Sequence, residues 1–338
     1  MKRLLVTGPD QVRVVDAPVP QPGPDDLLVA PLRVGVCATD LELIDGSLVY
    51  LRTGELTLPL TPGHEWVGQV VQAGERVTSL AAGDLVVGEC SIGCGRCPFC
   101  AAGAYHQCPT RRETGIIGLD GALQERMVFP ASSAHRVPGG MSLDDAALVE
   151  PTAVAFRAFQ RLGLPPAASL LIVGGGTQGF LAATMAINLA HADVALLEPR
   201  PSRFERLRGV GVRAPTDGET FSHVLEAAGT AQSLSVACER LAPGGTLVVV
   251  GLSGRPKVEV AVDTIVVRDQ SLVGSIGSPG VWPEVIRLVA SGVVRPSALV
   301  THSFDLAEFD DAYDLLRGVD DAVSKVLITP NALPLADG

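Results

Sequence analysis

Four cysteines crowd into fifteen residues as Cys94-x-x-Cys97-x-x-Cys100, followed after seven further residues by Cys108. Four thiolates at this spacing suffice to close a tetrahedral structural zinc site. Gly93, Gly95, Pro98 and Gly103 suit a tightly looping backbone that has no apolar core of its own. The same thiolates would also serve an iron–sulfur cluster or a nucleic-acid-binding zinc ribbon, or could simply stay unbound and buried. Cys90 and Cys238 fall outside the spacing and read as small buried hydrophobes.

Three other segments carry donor atoms: Gly35-Val36-Cys37-Ala38-Thr39-Asp40, Gly63-His64-Glu65 and Val149-Glu150-Pro151. Each alone has a bland reading, because a single cysteine or histidine in an apolar stretch is usually packing. Together they offer one soft ligand and several borderline ones, the set a catalytic zinc takes while keeping a position open.

A third signal is Leu170-Leu171-Ile172-Val173 running into Gly174-Gly175-Gly176-Thr177-Gln178-Gly179 and then an apolar stretch, Phe180 to Leu189. This is G-x-G-x-x-G in its strand-to-helix setting. Gly174 permits a tight turn, Gly176 lets backbone approach a pyrophosphate, and Gly179 lets helix and strand pack closely. Thr177 and Gln178 open the helix whose N-terminus would face the phosphates. A second strand ends at Glu198, nineteen residues after Gly179, close to the offset of the carboxylate that takes the ribose hydroxyls of NAD. Arg200 and Arg203 follow at once, and a guanidinium there could hold the 2′-phosphate of NADP. A carboxylate at the strand end would repel that phosphate, so the pattern favours NAD.

Elements must position these groups. From Met1 to about Pro138 short β-branched runs such as Leu27–Ala30 and Trp66–Val71, punctuated by Gly and Pro, predict an irregular, mostly antiparallel β domain. Asp144 to Arg161 reads as helix with a break at Pro151. Strands over 170–173, 194–198, 223–227, 246–250 and 271–274 then alternate with helices over 178–191, 202–208, 231–241 and 281–291, which implies an α/β fold with a doubly wound parallel sheet. From about Ser297 the chain reads as β-rich again and returns to the first domain. A length of 338 residues, 47% hydrophobic, favours two domains.

The net charge of −11 leaves no basic block for phosphate backbones, which argues against a nucleic-acid partner. The apolar run at the N-terminus is too short for a signal peptide, and nothing approaches the length of a membrane span. Seven cysteines in such a chain suit metal thiolates in the reducing cytoplasm better than disulfides. Of the 26 basic residues only Lys2, Lys257 and Lys325 are lysine, which reads as codon bias.

The order Gly-Val-Cys37-x-Thr39-Asp40, Gly63-His64-Glu65, four-cysteine lobe, Glu150-Pro151 and glycine-rich loop resembles the zinc-dependent medium-chain alcohol dehydrogenase family over nearly the whole chain. The resemblance implies a GroES-like catalytic domain over 1–152 with the zinc lobe at 90–110, a Rossmann domain over 153–292, and a return to the catalytic domain over 293–338. It implies two zinc ions per chain. Cys37, His64 and Glu150 would hold the catalytic one, with Glu65 as an outer or transient ligand, and Cys94, Cys97, Cys100 and Cys108 the structural one. It further implies a homodimer or homotetramer, and Thr39 as the group that takes the substrate proton.

Where many ethanol-type members carry a cysteine this chain has Glu150, as the polyol and sugar dehydrogenases do. Cys37-Ala38-Thr39-Asp40-Leu41-Glu42 and Glu113-Thr114-Gly115-Ile116 resemble the glucose dehydrogenase branch, which makes Glu113 a candidate for binding substrate hydroxyls. The reading is therefore hydride transfer between a polyhydroxylated secondary alcohol or ketone and NAD. Simpler alcohols, NADP, a zinc-free reductase and a redox-inactive binding protein on the same fold stand as rivals. Many members end the proton relay with a histidine eight residues after the cysteine; here that position is Asp45, which could take the proton itself or be a solvated helix carboxylate.

Overall fold

A computed structural model describes residues 1–254, 257–318 and 320–331. The chain divides into two compact units, Met1–Glu150 with Ser278–Gly338, and Pro151–Gly277. Residues 332–338, the end of the return segment expected from the sequence, lie outside the described residues.

The first unit is built on a seven-stranded sheet in the order Ala134–Arg136, Leu85–Gly88, Glu65–Ala73, Asp26–Gly35, Lys325–Thr329, Val300–Asp305, with Met127–Pro130 also paired to Asp26–Gly35. The pairings are antiparallel except that of the last two strands in the path, which is parallel. Strand Asp26–Gly35 is buried along nearly its whole length, which explains its continuous apolar run Leu27–Ala30. Trp66 and Phe129 meet edge to face with ring centroids 5.0 Å apart and seal this core.

The second unit is a five-stranded parallel sheet in the order Asp193–Leu197, Ser169–Val173, Phe221–Glu226, Leu241–Val249, Ser271–Gly274. Helix Thr177–Ala190 follows the glycine loop, and Phe180, Leu181, Ala182, Ala183, Met185 and Ala186 are all buried in it. The order changes direction between the first two strands in sequence and the third, which opens a crevice at their carboxyl ends. Among the described residues no helix is long and apolar enough to cross a membrane.

Several expectations shift. The helix read through 144–161 is two helices, Leu143–Ala147 and Val149–Leu162, and the break falls at Leu148 rather than Pro151. Proline costs little there, since the first turn of a helix has no partner for its N–H. The chain re-enters the first unit at Ser278, ahead of the expected 293, because Trp282 stacks on His135 with centroids 5.3 Å apart and so draws helix Trp282–Ala290 into that unit. The β-rich tail contains helix Phe309–Arg317, whose Phe309 and Ala312 are buried one turn apart. Strand Leu241–Val249 starts five residues before the expected 246, with Pro243, Gly244 and Gly245 inside it.

Candidate metal centres and cofactor cavity

Cys37 lies two residues beyond the buried strand Asp26–Gly35 and stands at the N-cap of helix Ala38–Asp45. The helix starts there because Asp40 reaches back: its Oδ2 accepts the Cys37 N–H at 2.8 Å, while its Oδ1 accepts the Gly63 N–H at 3.1 Å. One buried carboxylate thus ties the two ligand-bearing segments to each other. Gly63, at φ +101°, makes the turn that delivers His64 and Glu65 to the same point. Donor atoms of Cys37, His64 and Glu65 lie within 4.8 Å of one another, with both His64 and Glu65 buried. The hydroxyl of Thr39 is 3.7 Å from the Cys37 sulfur.

The charges around this cluster favour a cation. Burial alone would depress the His64 pKa, yet the Asp40 carboxylate and the Cys37 thiol outweigh it and raise it well above the usual imidazole value. Burial pushes the Glu150 carboxyl up to about 7; His64 and Lys325 pull it down and Glu65 and Asp40 push it up. Glu150 is therefore a buried neighbour of the cluster although its oxygens are not within the 4.8 Å grouping. A soft thiolate, an imidazole and buried carboxylates in this field are a fitting donor set for zinc.

Lys325 completes the arrangement. It enters from strand Lys325–Thr329, is buried, donates to both oxygens of Glu65 at 2.9 and 2.8 Å, and gives its third bond to the Val36 carbonyl at 3.0 Å. Its ammonium is fully paired, so the Glu65 carboxyl group is held in one orientation. Close packing demands Gly35 here: a Cβ on it would stand 2.2 Å from Glu65 Oε2. Sequence reading passed over Lys325. Its signal is that one of three lysines in an arginine-rich chain opens the mostly apolar run Lys325–Thr329.

The four-cysteine lobe gathers all four sulfurs within 4.8 Å. Cys97 and Cys100 sulfurs are 3.5 Å apart, and backbone N–H groups of Cys100 and Cys94 point at the sulfurs of Cys97 and Cys108 at 3.5 and 3.4 Å. The Cys94 N–H, with help from Thr110, draws the Cys108 pKa down to about 6. Such N–H donors stabilise thiolates, so this loop too fits zinc.

Glu113 is buried and fixed by Arg111, whose Nε donates to it at 2.8 Å while a second nitrogen reaches Glu55 at 3.0 Å. The Arg111 guanidinium lies over the Tyr50 ring, 5.7 Å from its centroid. Cys90 is tied to the Glu113 segment, since its carbonyl accepts the Thr114 N–H at 2.9 Å. Burial raises its thiol pKa well above the ordinary value, and the charges that act on it are those of His64, Glu150, Glu113 and Cys37. It packs beside Leu43, Leu48, Ile116 and Ile117 as the small hydrophobe the sequence suggested. Asp45 is not drawn in: it is exposed, and its Oδ1 accepts the Ser47 N–H at 2.8 Å.

In the second unit a cavity of about 690 Å³ opens at the carboxyl ends of the parallel strands, lined among others by Gly174, Gly176, Glu198, Arg200, Arg203 and Thr230. Gly174 adopts φ +105°, and a Cβ on Gly179 would meet the Gly174 carbonyl at 1.9 Å, so turn and close packing both require glycine. Glu198 Oε2 accepts the Gly175 N–H at 2.7 Å and Oε1 the Arg200 N–H at 2.9 Å. Gln178 donates to the Pro151 carbonyl at 3.3 Å, and Thr177 opens the helix.

Comparison with known proteins gives this geometry its class. Residues 23–139 match the model of the alcohol dehydrogenase GroES-like domain and residues 182–291 that of the zinc-binding dehydrogenases. The chain belongs to the zinc-dependent medium-chain alcohol dehydrogenase family and is an oxidoreductase of CH–OH groups that uses zinc and a nicotinamide cofactor. It is 26% identical to a sorbitol dehydrogenase of Bacillus subtilis, covering 98% of each chain. An L-threonine 3-dehydrogenase of Shewanella frigidimarina is 29% identical over 94% of this chain and 96% of its own. Among solved structures, a zinc-binding dehydrogenase from Sinorhizobium meliloti bound to NADP has 29% identity and a TM-score of 0.90, covering 97% of this chain and 99% of that one.

Proposed function

We propose that the protein transfers hydride between a polyhydroxylated secondary alcohol, or its ketone, and NAD. Zinc, when bound, supplies Lewis-acid polarisation of the substrate oxygen, and the dinucleotide takes or gives the hydride. Cys37, His64 and Glu150 hold the catalytic zinc; Cys94, Cys97, Cys100 and Cys108 hold a second, structural one. Lys325 holds both oxygens of Glu65 in place at the cluster, where Glu65 acts as outer or transient ligand. Thr39 takes the substrate hydroxyl proton and passes it toward solvent.

The polyol reading rests on one observation. Glu113 is buried and pinned by Arg111, and its segment touches the one that carries His64, since a Cβ on Gly115 would stand 2.8 Å from the Gly63 nitrogen; this supports Glu113 as an acceptor for a second hydroxyl of a substrate held at the cluster. Kinship to a sorbitol dehydrogenase supports this reading, and kinship to a threonine dehydrogenase is the main support for a narrower hydroxy-acid substrate. For the dinucleotide, Glu198 at the strand end supports NAD; Arg200 and Arg203 on the cavity wall, with the NADP-bound relative, are the argument for NADP.

Zinc-replete protein incubated with sugars, polyols, inositols, aminocyclitols, L-threonine and simple secondary alcohols, with NAD and NADP in separate arms, tests the proposal by the absorbance of reduced cofactor. NAD reduction by a polyhydroxylated substrate, lost in Glu150→Ala, is the expected result. Turnover of simple alcohols alone, or a preference for NADP, would overturn the corresponding half.

A homodimer is the expected assembly. Val262, Val266 and Val267, with Leu272 and Ile276 on and beside the edge strand Ser271–Gly274, are exposed on one segment of the second unit, and an uncovered apolar sheet edge needs a partner. Light scattering would read its mass. The thiolate-dependent sites suit the reducing cytoplasm.

A further inference from the structure

Glu226 ends strand Phe221–Glu226 and is 1% exposed, yet among the described residues no Arg, Lys or His pairs with it. A buried carboxylate without a cation is costly unless donors surround it. Here one oxygen, Oε1, accepts the N–H groups of Ala228 at 2.9 Å and Gly229 at 2.8 Å and the Ser233 hydroxyl at 2.7 Å. Ser233 lies in the first turn of helix Ala231–Glu239 and also accepts the Thr230 N–H at 2.9 Å. The positive end of that helix adds to the field that holds the carboxylate.

The loop so gathered, 227–230, forms one wall of the cofactor cavity: Ala227, Ala228, Thr230 and Ser233 line it, whereas Glu226 does not. The same loop abuts the phosphate-binding turn. A Cβ on Gly174 would stand 2.7 Å from the Ala228 nitrogen, the atom that donates to Glu226, and the Ala227 N–H donates to the Val173 carbonyl at 2.9 Å. Glu198 grips the glycine turn from the other side through Gly175. The turn therefore sits between two carboxylate-held loops.

We propose that Glu226 is a positioning residue for the dinucleotide: by fixing Ala228 and Gly229 against Gly174 it sets the shape of the phosphate-binding turn and hence cofactor affinity, without touching the cofactor. The inference rests on the reading of this cavity as the NAD site. An amide oxygen can accept the same three bonds, so geometry rather than charge is what the carboxylate contributes.

Calorimetric titration of NAD and, separately, NADP into zinc-replete wild type, Glu226→Gln and Glu226→Ala tests this, with amide hydrogen exchange read over residues 173–179. Glu226→Ala is expected to bind the preferred dinucleotide about tenfold more weakly, the scale of a lost set of buried hydrogen bonds, and to exchange faster in the turn. Glu226→Gln should stay within about threefold of wild type. Affinity in Glu226→Ala equal to wild type, or a Glu226→Gln variant as weak as Glu226→Ala, overturns the proposal. If Glu226→Ala is not recovered folded, Ser233→Ala decides instead: it removes one donor to Glu226, and faster exchange over 173–179 together with about threefold weaker binding supports the proposal, while unchanged exchange refutes it whatever the affinity, since Ser233 also lines the cavity. Failure of the wild type to bind either dinucleotide would instead sink the reading of the cavity.

Discussion

The two cysteine-containing centres solve the same problem in opposite ways. The lobe gathers Cys94, Cys97, Cys100 and Cys108 within fifteen residues, using turns, a short helix Pro98–Ala101 and backbone N–H groups, with Cys108 alone of the four buried. The other centre draws Cys37, His64, Glu65 and Glu150 from three distant segments and then needs Asp40 and Lys325, both buried, to hold those segments and balance their charge. A local loop can specify a metal site by spacing alone. A centre with an open position must be assembled by the whole domain, and its cost is paid in buried ion pairs.

Separating the two centres by metal content gives the largest effect. Cys37→Ser should lower the zinc content from the two per chain expected of the wild type to one, with the lobe intact, and lower kcat/KM by about 1000-fold or more, since the metal supplies several kcal/mol of transition-state stabilisation. Elemental analysis beside steady-state kinetics reads both. A Cys37→Ser protein that keeps two zincs would dissolve the distinction between assembled and local centre.

Lys325→Met attacks the part that only the assembled centre has. It strands the Glu65 carboxylate in the interior, and removal of one partner of a buried pair costs about 3–5 kcal/mol. Urea unfolding of the zinc-replete protein measures it. The double variant with Glu65→Gln should recover much of the loss, because the uncompensated charge has gone; no recovery would mean that Lys325 contributes through packing and not through the pair.

Cys100→Ala tests the lobe from its own side. The second zinc should be lost and residues 93–108 should become a protease target, while kcat/KM falls by no more than about tenfold, because the lobe supplies no group to the catalytic cluster. A collapse of activity as deep as in Cys37→Ser would show that the two centres are coupled.

This contrast also explains what could be read from the sequence. The lobe, the glycine loop and the strand–helix alternation are local patterns, and spacing and period state them outright. Asp40, Lys325 and Glu226 act over long separations or through backbone N–H groups, and nothing near them in sequence says what they will face. Lys325 pairs across 260 residues with Glu65. Pro151 reads as near a break or kink, while the fold carries it in the first turn of helix Val149–Leu162. Cys90 was legible as a packing residue, and it packs against Leu43, Leu48, Ile116 and Ile117.

Asp45 marks the edge of the assembled centre and carries the smallest expected effect. It stands at the end of the helix that begins beside Cys37, yet its carboxylate is spent on the Ser47 N–H at 2.8 Å and the side chain is exposed. A turn-capping carboxylate of this kind is worth about 1 kcal/mol or less, and an amide replaces most of it. Asp45→Asn should therefore change kcat by less than about threefold and leave its pH profile in place. A shifted profile, with wild-type thermal stability, would make Asp45 the outlet of the Thr39 proton and extend the assembled centre to the far end of that helix.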